Sequence, residues 1–183
     1  MMHRPRAAQV RSFAPIAAAG ARVLILGSMP GKASLAAGRY YAHAQNLFWE
    51  ILGGITGAAP GSPYAARVRA LKSSGIALWD VLESCAREGS LDSAIDGATM
   101  RANDFVSFYR VHPRIDQVFF NGAKAEACYR RHVLPVLAGA AASPGYHRLP
   151  STSPANASMS RAYKHRVWKQ ALRRALAGRR RRA

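Results

Sequence analysis

Short apolar runs alternate with segments of helical spacing along most of this chain of 183 residues. Residues 22–27 form the clearest run, because they are almost all apolar and end in glycine. A run of this kind is typical of a strand buried on both faces of a parallel sheet. Similar runs predict further strands at residues 76–81, 117–120 and 146–149. Apolar positions three or four apart predict helices at residues 46–52, 64–74, 102–112, 123–133 and 161–177.

Polar residues, glycines and prolines mark the ends of these elements. Asn46 is a predicted N-cap, and Thr99 or Asn103 is expected to begin the helix that ends near His112. The apolar pattern allows the following helix to continue past Pro135. The remaining stretches are predicted to be loops or irregular segments, at residues 28–45, 53–63, 91–101 and 150–158.

Strands that alternate with helices predict an α/β fold with a parallel sheet. We expect one domain over residues 1–183, a three-layer α/β/α sandwich around a central four-stranded, mainly parallel sheet. A basic N-terminal extension at 1–12 and an Arg-rich tail at 178–183 flank it. Ligands of such sheets bind beyond the carboxyl ends of the strands. One rim is therefore expected to carry the chemistry, in loops at 27–45, 121–122 and 150–158.

The charge of the chain narrows the choice of partner. Lysine and arginine number 27 against 9 acidic residues, a net charge of +18, and ten of the basic residues lie from Arg161 onward. Such an excess suits a polyanion, and nucleic acid is favoured over an anionic membrane surface. No apolar run is long enough to span a bilayer, and the basic N-terminus leads into no apolar signal segment. We expect a cytoplasmic, nucleoid-associated protein.

Cys85 and Cys128 are the only cysteines, and they lie far apart in sequence. Two thiols are too few for an iron–sulfur cluster, which takes about four. We predict that both are reduced and half buried, and we expect neither a metal nor a cofactor.

Three motifs occur on the predicted rim: G-S-M-P-G at 27–31, Y-Y-A-H-A-Q-N-L-F-W at 40–49, and L-P-S-T-S-P-A-N-A-S at 149–158. In this order and spacing they resemble the uracil-DNA glycosylase superfamily, and G-S-x-P-G with Y-Y-x-H is closest to its hypoxanthine-DNA glycosylase family. Each motif alone is weak, but three in order are specific. The resemblance covers roughly residues 20 to 176.

The resemblance implies a monofunctional DNA glycosylase, acting as a monomer on DNA that contains deaminated bases. Such an enzyme hydrolyses the N-glycosidic bond of a flipped base, here most readily hypoxanthine in deoxyinosine, and leaves an abasic site. The superfamily's first-loop Asn aligns with Met29, and methionine can neither position nor activate water. In the hypoxanthine-DNA glycosylase family that the chain resembles, the important Asn is the one before Phe-Trp. The resemblance therefore implies a catalytic role for Asn46, although a plain helix N-cap explains that residue too.

Other roles follow from the same resemblance. Tyr41 is expected to stack on the flipped base, with Tyr40 and Phe48 as alternatives, although Phe48 and Trp49 fit a core better. His43 is a second catalytic candidate, as a donor to the leaving base or a phosphate, or a local loop residue. Ser28, Met29 and Asn121 are expected to bind the base, and Asn-Gly at 121–122 also fits a turn. DNA contacts are expected from Gly31, Lys32, Ser34, Ser151, Ser153, Pro154, Ala155, Asn156, Ser158, Arg161 and Lys164.

Some alternatives stay open at this point. Asp80 follows a strand and is the most prominent carboxylate, but a helix cap or an arginine partner is the favoured interpretation. One alternative is a uracil-specific or mismatch-specific DNA glycosylase. Another is a non-catalytic protein that only binds DNA lesions, in which Met29 marks the loss of catalysis. A nucleotide-binding enzyme is less favoured, because no Gly-Lys-Ser/Thr element or G-x-G-x-x-G follows the first strand.

Overall fold

The computed structural model describes residues 8–87, 95–138 and 144–178. Seven strands are described: β1 (Gln9–Arg11), β2 (Val23–Gly27), β3 (Ile76–Asp80), β4 (Leu82–Ala86), β5 (Arg101–Ala102), β6 (Gln117–Asn121) and β7 (Gly145–Leu149). Seven α-helices are described as well: α1 (Lys32–Ala37), α2 (Phe48–Thr56), α3 (Tyr64–Ser73), α4 (Phe105–Val111), α5 (Ala123–His132), α6 (Leu134–Leu137) and α7 (Arg161–Ala177).

The predicted parallel sheet is confirmed, with the strand order β3-β2-β6-β7. Val23 at the start of β2 pairs with Ile76 on one side and Gln117 on the other, so the neighbouring strands start level. Every residue of β2 is buried, as its continuous apolar run predicts for a central strand covered on both faces. The four carboxyl ends consequently meet at one rim.

Successive residues of β6 face opposite helical layers, because side chains alternate across a strand. Phe119 stacks on His147 at 4.9 Å between ring centroids and shares a hollow with Ala171 of α7. Phe120 packs against Tyr129 of α5, with ring centroids 5.2 Å apart. Helix α2 packs with α3 and α7, and α5 packs with α6. The three-layer prediction is therefore confirmed.

A second sheet was not predicted. Strands β1, β4 and β5 form an antiparallel sheet in which Gln9 pairs with Ala86 and Leu82 with Ala102. These strands are only two to five residues long and pair across wide sequence separations, so no local pattern marks them. The predicted N-terminal extension thus contains a strand, and residues 1–7 lie outside the described residues.

Several predicted boundaries were wrong. Helix α1 lies within the segment predicted to be a loop, and α6 is a separate short helix that includes Pro135, where a continuation of α5 was predicted. A proline lacks the N–H that a continuing helix needs. The segment predicted as irregular contains a short 3-10 helix (Gly97–Thr99), while residues 91–94 lie outside the described residues. Of the Arg-rich tail, only Gly178 is described.

The residue that caps α4 is Asp104, and not Thr99 or Asn103 as predicted. Its carboxylate accepts a hydrogen bond from the Ser107 N–H at 3.0 Å, and hydrogen bonding to Ser107 lowers the Asp104 pKa. The Asn103 side chain instead donates to the backbone carbonyl of Asp80 at 2.8 Å. The amide therefore joins the start of α4 to the end of β3.

Helix α7 packs against the rest of the domain through Trp168, which is fully buried. Its indole N–H donates to the carbonyl of Pro150 at 2.8 Å, and its ring meets Phe48 edge to face. The Trp168 side chain thus holds together α2, α7 and the start of the last rim loop. No helix in the described ranges has the length and apolar character needed to cross a bilayer.

Replacing Trp168 by Ala is expected to lower the free energy of unfolding by about 3–5 kcal/mol, because it empties a core site. Trp168→Phe retains most of the ring but leaves the Pro150 carbonyl without its donor, and should cost about 1–3 kcal/mol. Denaturant unfolding measures both. Tyr163 is 40% exposed on the same helix, so Tyr163→Ala is the control, expected within about 1 kcal/mol. Equal losses for Trp168→Ala and Tyr163→Ala would contradict this role of Trp168.

Candidate active site

A cleft of about 630 Å³ lies at the carboxyl ends of the parallel strands, and we call it the rim cleft. All three loops that the sequence predicted for this rim contribute to it. The predicted site residues that line it are Ser28, Met29, Gly31, Lys32, Ser34, Tyr41, His43, Asn46, Asn121, Ser151, Ser153, Pro154, Ala155 and Asn156. Ser158, Arg161 and Lys164 are not among the lining residues.

Tyr41 is held rigidly in the wall of the cleft. Its ring stacks on Phe48 at 3.9 Å between centroids, with an angle of 18° between the planes. Its backbone has φ of 54°, the one positive value among the non-glycine residues of the described chain. Such a conformation is costly and persists only where the surroundings impose it. Since Phe48 covers one face, a base can stack only on the opposite face.

The other proposed stacking residues are unavailable to a base. Tyr40 is 3% exposed, and its hydroxyl donates to the carbonyls of Phe13 and Ala14. Burial, with a smaller contribution from the nearby Asp80 charge, raises the Tyr40 pKa far above its ordinary value. Phe48 is fully buried. Of the three aromatic candidates, Tyr41 is the one that remains partly accessible.

Asn121 joins three segments of the rim through its side-chain amide. The Nδ2 group donates to the Tyr41 hydroxyl at 3.0 Å and to Thr152 Oγ1 at 2.9 Å. The Oδ1 atom accepts from the Thr152 N–H at 2.8 Å. Both amide donors are thereby engaged within the protein. Asn121 lines the cleft as predicted, and its contacts make it a clasp between loops.

Thr152, fully buried at the centre of this clasp, was missed by the sequence analysis. Its neighbours Ser151 and Ser153 were predicted to contact DNA because their hydroxyls suit phosphate contacts. Both neighbours are only partly buried, so Thr152 alone of the three turns fully inward. The Thr152 carbonyl also accepts from Leu47 N–H at 3.1 Å, which anchors the start of α2.

Asn46 bonds the start of α2 and lines the cleft at the same time. Its Oδ1 accepts a hydrogen bond from the Phe48 N–H at 3.0 Å, so its side chain satisfies the first N–H of the helix. The N-cap residue itself is Leu47, so the N-cap position predicted at Asn46 was wrong by one residue. The Nδ2 atom of Asn46 makes no hydrogen bond to any described protein atom. The bond to Phe48 fixes the side chain and leaves two N–H donors for a ligand in the cleft.

His43 is exposed beside Asn46. Its Nδ1 accepts a hydrogen bond from the Gln45 N–H at 3.2 Å, which is the local loop bond considered from the sequence. A ring nitrogen that accepts a hydrogen bond carries no proton, so the ring N–H lies at Nε2. That N–H can donate to a ligand while the loop bond stays intact.

The first loop and the end of β3 meet at a very close approach. Gly27 pairs with Asp80, and a Cβ added to Gly27 would lie 2.3 Å from Asp80 Oδ1 and 3.0 Å from the Tyr41 hydroxyl. Asp80 is 3% exposed in the cleft wall, and because a strand follows it, it caps no helix. Ser28 and Met29 are also nearly buried in this wall, at 7% and 6% exposure.

Arg87, which the sequence analysis did not single out, supports this loop from behind. Its guanidinium is 3% exposed, lies at the end of β4, and donates to the carbonyl of Pro30. Because β4 follows β3 almost directly, the unpredicted second sheet is what brings this cation to the first loop. No signal in the sequence singled out Arg87 among the many arginines.

The remaining predicted DNA contacts divide into two groups. Pro154 and Ala155 are exposed at the tip of the last loop, and Lys32 is exposed at the start of α1. By contrast, Ser34 is 6% exposed, and its hydroxyl accepts from the Ala42 N–H at 3.2 Å. It stabilises the loop around Tyr41 and offers DNA almost no surface.

Lys164 was predicted to contact DNA, and its burial contradicts this. It is 3% exposed, and its ammonium donates to the carbonyl of Asn156 at 2.6 Å, with Ser153 further away at 3.5 Å. Burial lowers the Lys164 pKa. The charge stabilises the last rim loop, because the loop carbonyls point inward at the start of α7. Arg161 remains exposed and pairs with Glu50 at 2.8 Å.

Comparison with known proteins agrees with this arrangement. The family model of the uracil DNA glycosylase superfamily matches residues 14–177. The chain belongs to the uracil DNA glycosylase superfamily. It is therefore a DNA glycosylase, an enzyme that hydrolyses the bond between a base and its deoxyribose. The resemblance inferred from the three motifs is confirmed.

Three relatives in this superfamily are similar over most of their length. A hypoxanthine DNA glycosylase of Methanosarcina barkeri is 38% identical over 116 residues, which are 63% of this chain and 72% of the relative. A hypoxanthine DNA glycosylase of Methanosarcina acetivorans is 34% identical, covering 82% of this chain and 90% of the relative. The solution NMR structure of a candidate uracil DNA glycosylase from Methanosarcina acetivorans superposes with a TM-score of 0.75 at 31% identity, covering 92% and 99%.

Gly27→Ala is expected to push Asp80 and Tyr41 out of place, because the new methyl group would lie 2.3 Å from the carboxylate. We expect a loss of stability of about 1–3 kcal/mol and a fall in single-turnover base release of about 10- to 100-fold. Gly20 has no atom within 4 Å of an added Cβ, so Gly20→Ala is the matched control. Equal activity of the two variants would show that the close approach at Gly27 is unimportant.

Proposed function

We propose that this glycosylase removes hypoxanthine from deoxyinosine in DNA and leaves an abasic site. One observation carries the proposal: the exposed side of Tyr41, the unengaged Asn46 amide donors and the Asp80 carboxylate line the same cleft. The two similar hypoxanthine DNA glycosylases support the choice of base. Their similarity extends over most of the domain.

The damaged nucleotide must leave the duplex before its bond can be reached. Unstacking a base costs a few kcal/mol, and stacking on an aromatic ring returns about 1–3 kcal/mol. The face of the Tyr41 ring opposite Phe48 supplies that ring in this proposal. Pro154 and Ala155 are exposed at the loop tip and enter the space that the base vacates. Phosphates then meet Lys32 and the loop serines.

In the chemical step the bond between C1′ and the purine nitrogen breaks, and its electron pair leaves with the base. The sugar becomes cationic, a water oxygen then bonds to C1′ and gives up a proton, and the departing base takes up one proton. Because Met29 cannot orient water, Asn46 is the proposed group that holds the water or the base edge. The Nε2–H of His43 donates to the leaving base or to a phosphate.

Base choice follows from the edge that hypoxanthine presents. Deamination of adenine replaces the amino group by a carbonyl and turns N1 from an acceptor into an N–H donor. A carboxylate only accepts hydrogen bonds, so Asp80 suits N1–H and disfavours adenine. Backbone N–H groups of Met29 and Gly31 are the proposed donors to the new carbonyl. Asn121 holds Tyr41 and Thr152 and contributes to the base pocket through them.

Base release from labelled oligonucleotides tests the substrate. Each oligonucleotide carries one deoxyinosine, deoxyuridine or deoxyxanthosine, and alkali cleaves abasic sites. We expect the fastest release at deoxyinosine, with strand cleavage only after alkali. Faster release at deoxyuridine would keep the enzyme class and overturn the base. Tight lesion binding without release would instead support a non-catalytic lesion-binding protein.

Asn46→Asp separates catalysis from capping, because it retains the acceptor for the Phe48 N–H and removes the amide donors. We expect stability within about 0.5 kcal/mol of wild type and single-turnover release slowed by about 100- to 1000-fold. Asn46→Ala should show the same loss of activity together with about 1 kcal/mol of lost capping. Binding to DNA with an uncleavable abasic analogue reports retained affinity. Wild-type rates for Asn46→Asp would leave Asn46 as a helix cap only.

The protein is further proposed to act as a monomer at the nucleoid. One lesion occupies one pocket in this proposal, so a second subunit is not required, and the net charge of +18 favours residence on DNA. Sedimentation with and without a lesion-containing duplex tests the monomer, which should form a one-to-one complex.

A further inference from the structure

A second cleft of about 390 Å³ adjoins the rim cleft across the segment from Tyr40 to Asn46. The two clefts share Tyr40, Tyr41, His43 and Asn46 as walls. The far side of the second cleft is lined by Arg39, Tyr64 and Arg67, which we call the Arg39–Tyr64–Arg67 cluster. None of these three residues has a part in base excision as described above.

The cluster has a fixed geometry. The guanidinium carbons of Arg39 and Arg67 lie 5.7 and 6.0 Å from the centroid of the Tyr64 ring. Arg67 also lies over Trp49, at 5.3 Å from its centroid. The Tyr64 hydroxyl accepts from the Tyr40 N–H at 3.2 Å, so the cluster is tied to the segment that carries Tyr41.

The charge of the second cleft is positive and poorly compensated. Glu50 is the one acidic residue among its lining residues, and it pairs with Arg161 at 2.8 Å and His165 at 2.9 Å. Neither Arg39 nor Arg67 forms a salt bridge with a described residue. Two cations therefore line this cleft without an anionic partner among the described residues, which suits an anionic ligand.

We propose that the Arg39–Tyr64–Arg67 cluster binds one backbone phosphate of the damaged strand, beside the flipped nucleotide. This rests on the proposed function, since the flipped base occupies the rim cleft. A cation–π contact holds a guanidinium over an aromatic ring, and its N–H groups remain available for phosphate oxygens. The guanidinium carbons of Arg39 and Arg67 both lie within 6.0 Å of the centroid of the Tyr64 ring, so this ring positions both arginines.

A chemical double-mutant cycle tests this contact by affinity, independently of catalysis. The ligand is an oligonucleotide with one uncleavable tetrahydrofuran abasic analogue, and each nearby phosphate is replaced in turn by a neutral methylphosphonate. Arg67→Ala and one of the methylphosphonates should each weaken binding about tenfold. Combined, they should weaken binding no more than either alone, because both remove the same contact. Independent, multiplying losses at every position would overturn the proposal.

Two further variants make the result specific. Arg69 lies on α3 like Arg67, but it is exposed and does not line the second cleft. Arg69→Ala therefore removes an equal charge and should couple to no single phosphate.

Arg67→Lys keeps the positive charge but loses the planar guanidinium group. It should recover only part of the tenfold loss in affinity. Thermal unfolding checks that each variant folds. Equal effects of Arg67→Ala and Arg69→Ala would reduce the cluster to general electrostatics and overturn the site. If the wild-type protein does not excise hypoxanthine from deoxyinosine, the proposed function is refuted. The affinities measured in the double-mutant cycle are not changed by that result.

Discussion

The side-chain amide of Asn121 is the interaction on which the arrangement of the rim depends. An amide has two donors and an acceptor in one plane, and here they bind Tyr41 from the first loop and Thr152 from the last. Each loop alone would sample many conformations, at a cost of about 1–2 kcal/mol for each residue ordered. Partly buried hydrogen bonds that join both loops to the end of β6 offset that cost. The positive φ of Tyr41 is tolerated because this clasp and the stack on Phe48 impose it.

Some of the positively charged side chains stabilise the protein itself. Lys164 and Arg87 are each 3% exposed, and each donates to carbonyl groups of a rim loop. A buried cation that satisfies inward-pointing carbonyls stabilises a loop that lacks regular secondary structure. Arg161 and His165 both engage Glu50, which joins α7 to α2. Net charge therefore indicated a polyanion partner correctly but did not indicate which cations would meet it.

Met29 is an apolar part of the cleft wall and is 6% exposed. Polar side chains of the same cleft come from three other places: Asn46 before α2, His43 in the same loop and Asp80 at the end of β3. The Oδ1 atom of Asn46 accepts from the first N–H of α2, whereas its Nδ2 makes no hydrogen bond to a described protein atom. One side chain therefore stabilises a helix start and also presents N–H donors to the cleft.

The sequence by itself determined the parallel sheet, the three layers and the rim on which the motifs meet. These features depend on the periodicity of apolar residues within one strand or helix, and such residues are close together in sequence. The fully buried run of β2 is an example. The tertiary structure alone decided the second sheet, the burial of Lys164, the role of Thr152 and the support from Arg87. Each of these depends on partners far apart in the chain: β1 pairs with β4 over more than seventy residues. Local patterns cannot encode such pairings, because burial and hydrogen bonding are settled only when the distant segments meet.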